Sequence, residues 1–356
     1  MNVARPARPA RPVRRRSRAI VVVAAWLTGM GLLTGASMAG PAGPPSGSQG
    51  LVYDHDFPDP TVLPIADGYY AYSTQVGSRN VPVLFSADLS RWIEVADALP
   101  VLPAWAVPGR TWAPSVIERD GRYLLYYATH DKASDRQCIS AAVAQTPTGP
   151  FTDTSTGPLV CQIDLGGSID PDAFADGGAL YLNFRSDEPV VGGRPRLWSA
   201  RLADDGLGVA AGSTVELLAA GRPGEAGLIE GPAMVRAGRD YLLFYSGNWF
   251  SSVYESISYA RCSGPQGPCV TQLTLPWFSA VPDFNQLGAE AGPGGPAVFQ
   301  DAAGGYFLAY HAWSAPRTNY EVGGYRGLHI RPLRLSPTPT LPSDDEAPRQ
   351  DQRNAA

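Results

Sequence analysis

The chain has 356 residues, 44% of them hydrophobic and 17% charged, a composition that excludes an intrinsically disordered protein and fits one large domain or two ordinary ones. Its formal net charge is −5, and losing the seven arginines that precede residue 19 takes that to −12. With Lys132 as its one lysine, so acidic a body is excluded as a nucleic-acid binder and suits a neutral or basic ligand.

The chain opens on a basic, acid-free stretch up to Arg18, followed by an apolar run from Ala19 that ends in the small residues "GASMAG". That order is the layout of a secretory signal, predicted here over residues 1–39 with cleavage near Ala39. The apolar run is also long enough for an uncleaved anchor, but the Gly, Ser and Ala at its end favour cleavage. No Cys follows to carry a lipid, and "RRRSR" leaves twin-arginine export open. Residues 40–50 read as a flexible linker, and the exported protein is expected to be extracellular.

From residue 51 a phrase recurs five times: "DPTVLPIADGYYAYST" from Asp59, "APSVIERDGRYLLYYAT" from Ala113, "DPDAFADGGALYLNFRS" from Asp170, "GPAMVRAGRDYLLFYSG" from Gly231 and "GPAVFQDAAGGYFLAYH" from Gly295. Each holds a Pro, a short apolar strand, a turn bearing Gly, and a second strand rich in Tyr, Leu and Phe. Turn chemistry of this kind between β-prone runs predicts five β-hairpins. The prolines (Pro60, Pro114, Pro171, Pro232, Pro296) lie 54 to 64 residues apart, the period of propeller blades. Pieces such as "VPVLFSADLSRWIEV" and "RLWSARLADDG" supply outer strands. The prediction is an all-β, single-domain, five-bladed propeller over residues 51–335, in which radial repetition leaves only short edges. An irregular sandwich would not repeat one hairpin in one frame.

Four cysteines lie within it, and an even count behind an export signal predicts two disulfides, for which three connectivities exist. Cys262 and Cys269 flank the turn-like "SGPQGP", so local pairing is expected there, leaving Cys138 with Cys161. A zinc site is disfavoured because no CxxC or clustered His accompanies them. From Ser336 the chain is Pro-rich, polar and aperiodic, and residues 336–356 read as a disordered tail.

The residue before each repeat proline is Asp59, Ala113, Asp170, Gly231 and Gly295, and in the fourth repeat Glu230 stands one position earlier. A lone Asp before Pro often only starts a turn. Three acids at matching positions of a radial repeat are brought toward one axis, where like charges raise one another's pKa and burden folding. Chemistry that wants such a set is glycoside hydrolysis, with one protonated acid for the leaving oxygen and one ionised base for water. Aromatic rings suit the C–H faces of a sugar. Trp112, just ahead of the second repeat, and Trp249 and Phe250, after the fourth, are candidate sugar contacts; Trp105 and Trp313 are further candidates.

These segments, "FPDPTVL", "WAPSVIERDGRYLLYY", "GSIDPDAFADGGALYLNF" and "IEGPAMVRAGRDYLLFYS", resemble in order the signatures of glycoside hydrolase family 43, five-bladed propeller enzymes acting on arabinans and xylans. The resemblance runs from about Asp54 to Leu335. It implies an inverting, single-displacement O-glycosyl hydrolase with Asp59 of "FPDP" as general base, Asp170 of "SIDP" as pKa modulator and orienting group, and Glu230 of "IEGP" as general acid. It implies no covalent intermediate, and carboxyls of Asp59 and Glu230 roughly 6.5 to 9.5 Å apart. Many members carry a His in the fifth blade that helps to hold a central ion. Here Gly295 takes its place, so neither a metal nor any other cofactor is expected. His311 and His329 are read as packed rings, and Arg326 as a group that reaches the sugar or an acid.

The function expected from these residues is exo-acting α-L-arabinofuranosidase or β-xylosidase activity on arabinose- or xylose-containing plant polysaccharide. An endo-1,5-α-L-arabinanase is the alternative, and loop lengths at the mouth decide between them. A fructan-cleaving propeller would show "NDPNG" and "RDP" where this chain reads "PDPTV" and "IDPDA". A non-catalytic carbohydrate-binding propeller would lack at least one acid, and all three are present. The partner expected is an oligo- or polysaccharide, with no nucleic acid, no membrane contact after leader removal, and a monomeric protein.

Overall fold

The computed structural model describes residues 50–271, 274–280, 290–336 and 338–342. The predicted leader (1–39), nearly all of the linker and most of the tail lie outside the described residues. Each predicted hairpin forms the inner two strands of an antiparallel sheet, and five such sheets make a five-bladed propeller. Blade 1 runs outward as Thr61–Ile65, Gly68–Tyr72, Pro82–Ser86 and Ile93–Asp97. Blade 2 has Ala106–Arg119, Arg122–Asp131 and Arg136–Ala144, and in place of a fourth strand Thr152 and Val160 bridge to Val143 and Ile139. Its hairpin turns on Asp120 and Gly121, both at positive φ, as a two-residue turn matched to strand twist requires.

Blade 3 is Ser168–Asp176, Ala179–Ser186, Arg196–Arg201 and Val215–Ala219. Blade 4 is Ile229–Ala237, Asp240–Gly247, Ser256–Cys262 and Cys269–Val270, with Phe278–Ser279 also on the third strand. Blade 5 takes Glu290–Gln300, Tyr306–Ser314 and Arg326–Leu333 from one end of the domain and Leu51–Tyr53 from the other. The expected disulfides, Cys138–Cys161 and Cys262–Cys269, are both formed.

The aromatic second strands lack the alternation of a half-exposed strand because both of their faces are covered. Successive side chains point to opposite faces. In blade 2, Leu125 and Tyr127 pack with Leu63, Tyr72 and Val83 of blade 1, while Leu124 and Tyr126 pack with Leu180, Leu182 and Phe184 of blade 3. The same rule gives a core at each remaining interface: Leu197 with Met234, Leu243 and Tyr245; Leu242 and Phe244 with Leu308 and Tyr310; Phe299 and Ala309 with Val62, Ala71 and Leu84. Five apolar clusters, one between each pair of neighbours, hold the ring. Burying each such side chain contributes about 1.5–3 kcal/mol.

The residues before the five repeat prolines share one strained conformation, with φ of 51° at Asp59, 44° at Ala113, 55° at Asp170, 57° at Gly231 and 58° at Gly295. A left-handed residue other than Gly costs roughly 1–2 kcal/mol. Proline supplies no N–H to the ladder, and strand register slips beside it in blades 2, 3, 4 and 5. The kink turns each inner strand at its mouth end. Beneath it the five prolines and Asp172 line a small axial cavity of about 40 Å³.

Candidate active site

At four of the five kinks the freed backbone N–H is held by a side chain of the preceding blade. Thr74 Oγ1 accepts from Ala113 at 2.8 Å, Asp170 Oδ2 from Gly231 at 3.0 Å, Ser246 Oγ from Gly295 at 2.8 Å and His311 Nδ1 from Asp59 at 3.1 Å. Thr74, Ser246 and His311 come from the ends of second strands. The same register position in blade 3 is Arg185, opposite Ile169, which cannot accept. There the inner-strand carboxylate of Asp170 takes over the amide, and Arg185 is free to turn elsewhere.

Above these clips opens a cavity of about 720 Å³, and Asp59, Asp170, Glu230, Trp112, Trp249, Phe250 and Arg326 all line it. Trp249 and Phe250 are 49% and 41% exposed and form one side of the mouth. Trp105 does not line the cavity; its indole N–H donates to Ser155 Oγ at 3.0 Å. Trp313 is fully buried, and its N–H donates to the Phe250 carbonyl at 2.8 Å, so it braces the mouth from behind.

Asp59 is held from three directions. Thr74 Oγ1 donates to its Oδ2 at 2.6 Å, Arg326 Nη1 donates to Oδ1 at 3.2 Å, and His311 Nδ1 lies 3.3 Å from Oδ1. Burial pushes its pKa up, but the Arg326 guanidinium, His311 and the Thr74 hydroxyl outweigh that and hold the carboxyl well below the usual aspartate range. Arg326 is itself buried among the rings of Phe250, Tyr320 and Trp313, at 4.9, 5.7 and 5.9 Å, and its Nε donates to Tyr320 Oη at 3.1 Å. Of the two roles expected for it, the structure gives contact with an acid.

Glu230 is treated oppositely. Its side chain is 15% exposed and its Oε2 accepts from Arg185 Nη1 at 2.7 Å. Burial pushes its pKa up; Arg185 opposes this, and Asp170, Glu255 and Asp59 add to it, leaving the group well above the ordinary glutamate range. Asp170 is raised for the same reasons, by burial first and by Asp59 and Asp187, against Arg185 and the Gly231 amide. Glu230 is the more strongly raised of the two and holds its proton after Asp170 has lost its own, in a cavity where Asp59 stays ionised.

Several residues of the site escaped the sequence reading. His311, read as a packed ring, is buried, but between polar partners: Asp59 on Nδ1 and Glu255 Oε2 at 3.1 Å on Nε2. Burial lowers its pKa, yet the Glu255 and Asp59 carboxylates raise it on balance. His329 is a packed ring, stacked on Tyr310. Glu255 fills space left by Gly294, where a Cβ would collide with its carboxylate, and a Cβ on Gly295 would stand 2.7 Å from His311 Nδ1. Arg185 and Thr74 carried a legible signal: each lies fifteen residues after an acid that heads a repeat, as Ser246 lies fifteen after Gly231. The donors below Asp59 are already paired with one another, and among the described residues no group of three or more His, Cys, Asp or Glu is arranged to hold a metal ion.

Comparison with known proteins gives the arrangement its relatives. The model of the glycosyl hydrolases family 43 matches residues 51–337. An arabinan endo-1,5-α-L-arabinosidase A of Aspergillus niger is 30% identical over 264 residues, covering 69% of this chain and 78% of that protein. Among solved structures, a thermostable family-43 glycoside hydrolase superposes with a TM-score of 0.71 at 25% identity, over 85% of this chain and 96% of that one. An endo-1,4-β-xylanase of Bacteroides thetaiotaomicron superposes with a TM-score of 0.69 at 25% identity, over 82% and 96%. With a repeat, a cavity and a family match that span the same residues, the chain belongs to glycosyl hydrolase family 43.

Proposed function

We propose that the protein is an exported endo-1,5-α-L-arabinanase that cleaves internal links of arabinan by single-displacement inversion. The observation that carries the catalytic part is the opposed setting of two carboxyls in one cavity: Asp59 held ionised by Arg326, His311 and Thr74, and Glu230 held protonated by burial among Asp170, Glu255 and Asp59. A general base and a general acid need that division. A water on the Asp59 side forms the new C–O bond at the anomeric carbon and passes a proton to Asp59. The glycosidic C–O bond breaks as Glu230 protonates the leaving oxygen. Asp170 raises the affinity of Glu230 for its proton and, through the Gly231 amide, fixes the backbone next to it.

The order of the two readings drawn from sequence reverses at the level of substrate. Curated relatives matching about 70% of the chain are named as arabinan endo-1,5-α-L-arabinosidases, which favours the endo alternative over exo action.

The test is hydrolysis of linear 1,5-α-arabinan, xylan, and aryl α-L-arabinofuranoside and β-D-xyloside by wild type and Glu230→Ala. Endo action on arabinan gives a ladder of oligosaccharides and a fast fall in viscosity, with new reducing ends in the inverted anomeric configuration by proton NMR. Glu230→Ala is expected to lose about 10²–10⁴-fold in kcat. Release of arabinose alone would restore the exo reading, and an unchanged rate in the variant would remove Glu230 from the acid role.

A further inference from the structure

Arg185 stands where the other blades place an acceptor, Ser246 in blade 4 and His311 in blade 5, or only a methyl group, Ala128 in blade 2. It is 5% exposed, with Nη1 on Glu230 at 2.7 Å and Nη2 on Asp187 at 3.1 Å. Asp187 is anchored in turn, its N–H donating to the Gly167 carbonyl at 3.1 Å. An arginine against a general acid looks counterproductive, because it favours the ionised form. A general acid must also give its proton up, however, and works best when its affinity for the proton matches the operating pH. Burial among three carboxylates without a counter-charge would leave Glu230 too reluctant.

We propose that Arg185 is a positioning residue for Glu230, aiming its carboxyl at the leaving oxygen and stabilising the carboxylate that forms as the proton departs. This rests on the reading of Glu230 as the acid. The guanidinium is pre-placed by Asp187, so it needs no reorganisation when the charge develops. The other charges facing Glu230 are all negative: Asp170 from blade 3, Asp59 from blade 1 and Glu255 from the loop ahead of the third strand of blade 4. Behind them, His311 and Arg326 of blade 5 are engaged with Asp59 and Glu255. Arg185 is therefore the cation in direct contact with the acid. Its recruitment depended on Asp170 taking the Gly231 amide, which links the two neighbours of Glu230 in one arrangement.

The experiment combines titration with kinetics. In protein carrying carboxyl-¹³C glutamate, the resonance missing from Glu230→Gln reports that carboxyl, and its midpoint is followed in wild type, Arg185→Gln and Arg185→Lys. Arg185→Gln is expected to raise the midpoint by about one to three pH units. The basic limb of kcat/KM on arabinan should move up with it, and kcat should fall roughly tenfold with KM little changed. Arg185→Lys, which keeps the charge, should stay near the wild-type midpoint. A midpoint unmoved in Arg185→Gln overturns the proposal, as does a moved midpoint with an unmoved limb while Glu230→Gln is inactive. If Glu230→Gln keeps its rate, the acid assignment fails instead, whatever Arg185 does to the titration.

Discussion

Asp172 lies two residues past Asp170, beyond the kink, and takes no part in the proposed chemistry. Its Oδ2 accepts from Asn183 Nδ2 and from the Met234 amide, both at 2.9 Å, so it joins blade 3 to blade 4 one step below the active carboxyls. Burial pushes its pKa up to about 6 despite these two donors. A carboxyl whose affinity for protons is higher folded than unfolded makes the fold more stable as pH drops through about 6, and removes that gain above it. Asp172→Asn keeps an oxygen for both donors and carries no charge. The variant is expected to be more stable than wild type at pH 8 by on the order of 1–2 kcal/mol, the gap narrowing as pH falls below about 6 and largely closed by about pH 4, where the unfolded carboxyl takes up its proton as well. Urea unfolding at both pH values measures it; equal gaps would mean that the carboxylate is not disfavoured in the fold.

At the scale of the element, the two disulfides do different work. Cys262–Cys269 closes a loop of 7 residues at the edge of blade 4, whereas Cys138–Cys161 spans 23 and ties the third strand of blade 2 to the segment that leads into blade 3. Chain entropy assigns roughly 3 kcal/mol to the longer loop and roughly 2 kcal/mol to the shorter. Cys161 also leads directly into Gln162–Gly167, whose last carbonyl anchors Asp187 and through it Arg185. Paired Cys138→Ser and Cys161→Ser substitutions are therefore expected to lower both the melting temperature and kcat, while the Cys262/Cys269 pair lowers the melting temperature alone. Calorimetry and arabinan hydrolysis measured on each double variant decide this, and equal losses of kcat would discount the Asp187 link.

What the sequence made legible follows the same division. The five hairpins announce themselves because Gly-bearing turns and two-sided burial leave a repeated pattern, and Asp59, Asp170 and Glu230 stand at fixed offsets within it. Thr74 and Arg185 stand at a fixed offset that marks their position but not their role, because the side chain there differs in every blade, and His311 falls one residue off that offset. Glu255 lies in a loop outside the repeat, where only the missing Cβ of Gly294 makes room for it. Polar contacts between blades depend on which side chain meets which kink, and that is settled by packing across the ring rather than along the chain.

For the whole molecule, a ring of five blades has to be closed, and the closure reaches the site. Leu51–Tyr53 forms the outer strand of blade 5, with Leu51 opposite His329 and Tyr53 opposite Leu328. The chain then runs along that blade toward the axis. Tyr325 and Tyr320 donate to Asp54 and Asp56, the Arg326 amide donates to Asp56 Oδ1 at 3.0 Å, and the Phe57 amide donates to the Arg326 carbonyl at 2.8 Å. Asp59 follows two residues later, facing the same Arg326. The segment that fastens the last blade to the first is thus the one that sets the proposed base against its counter-ion. A chain beginning at Asp54 would lose the outer strand, the Ile330 bond to Gly50 and the cover over Gly327, whose Cα lies under Leu51 and Tyr53. A few hydrogen bonds at about 0.5–1.5 kcal/mol each, with partial burial of three apolar side chains, set the loss at roughly 3–5 kcal/mol. That corresponds to a melting temperature lower by about 10 °C. Because the lost strand fastens the start of residues 54–57, which set Asp59 against Arg326, activity on arabinan should fail at a lower temperature than far-ultraviolet circular dichroism reports unfolding. If the shortened chain melts and turns over substrate as the full chain does, the five apolar interfaces alone hold the ring, and the placement of Asp59 owes nothing to how it is closed.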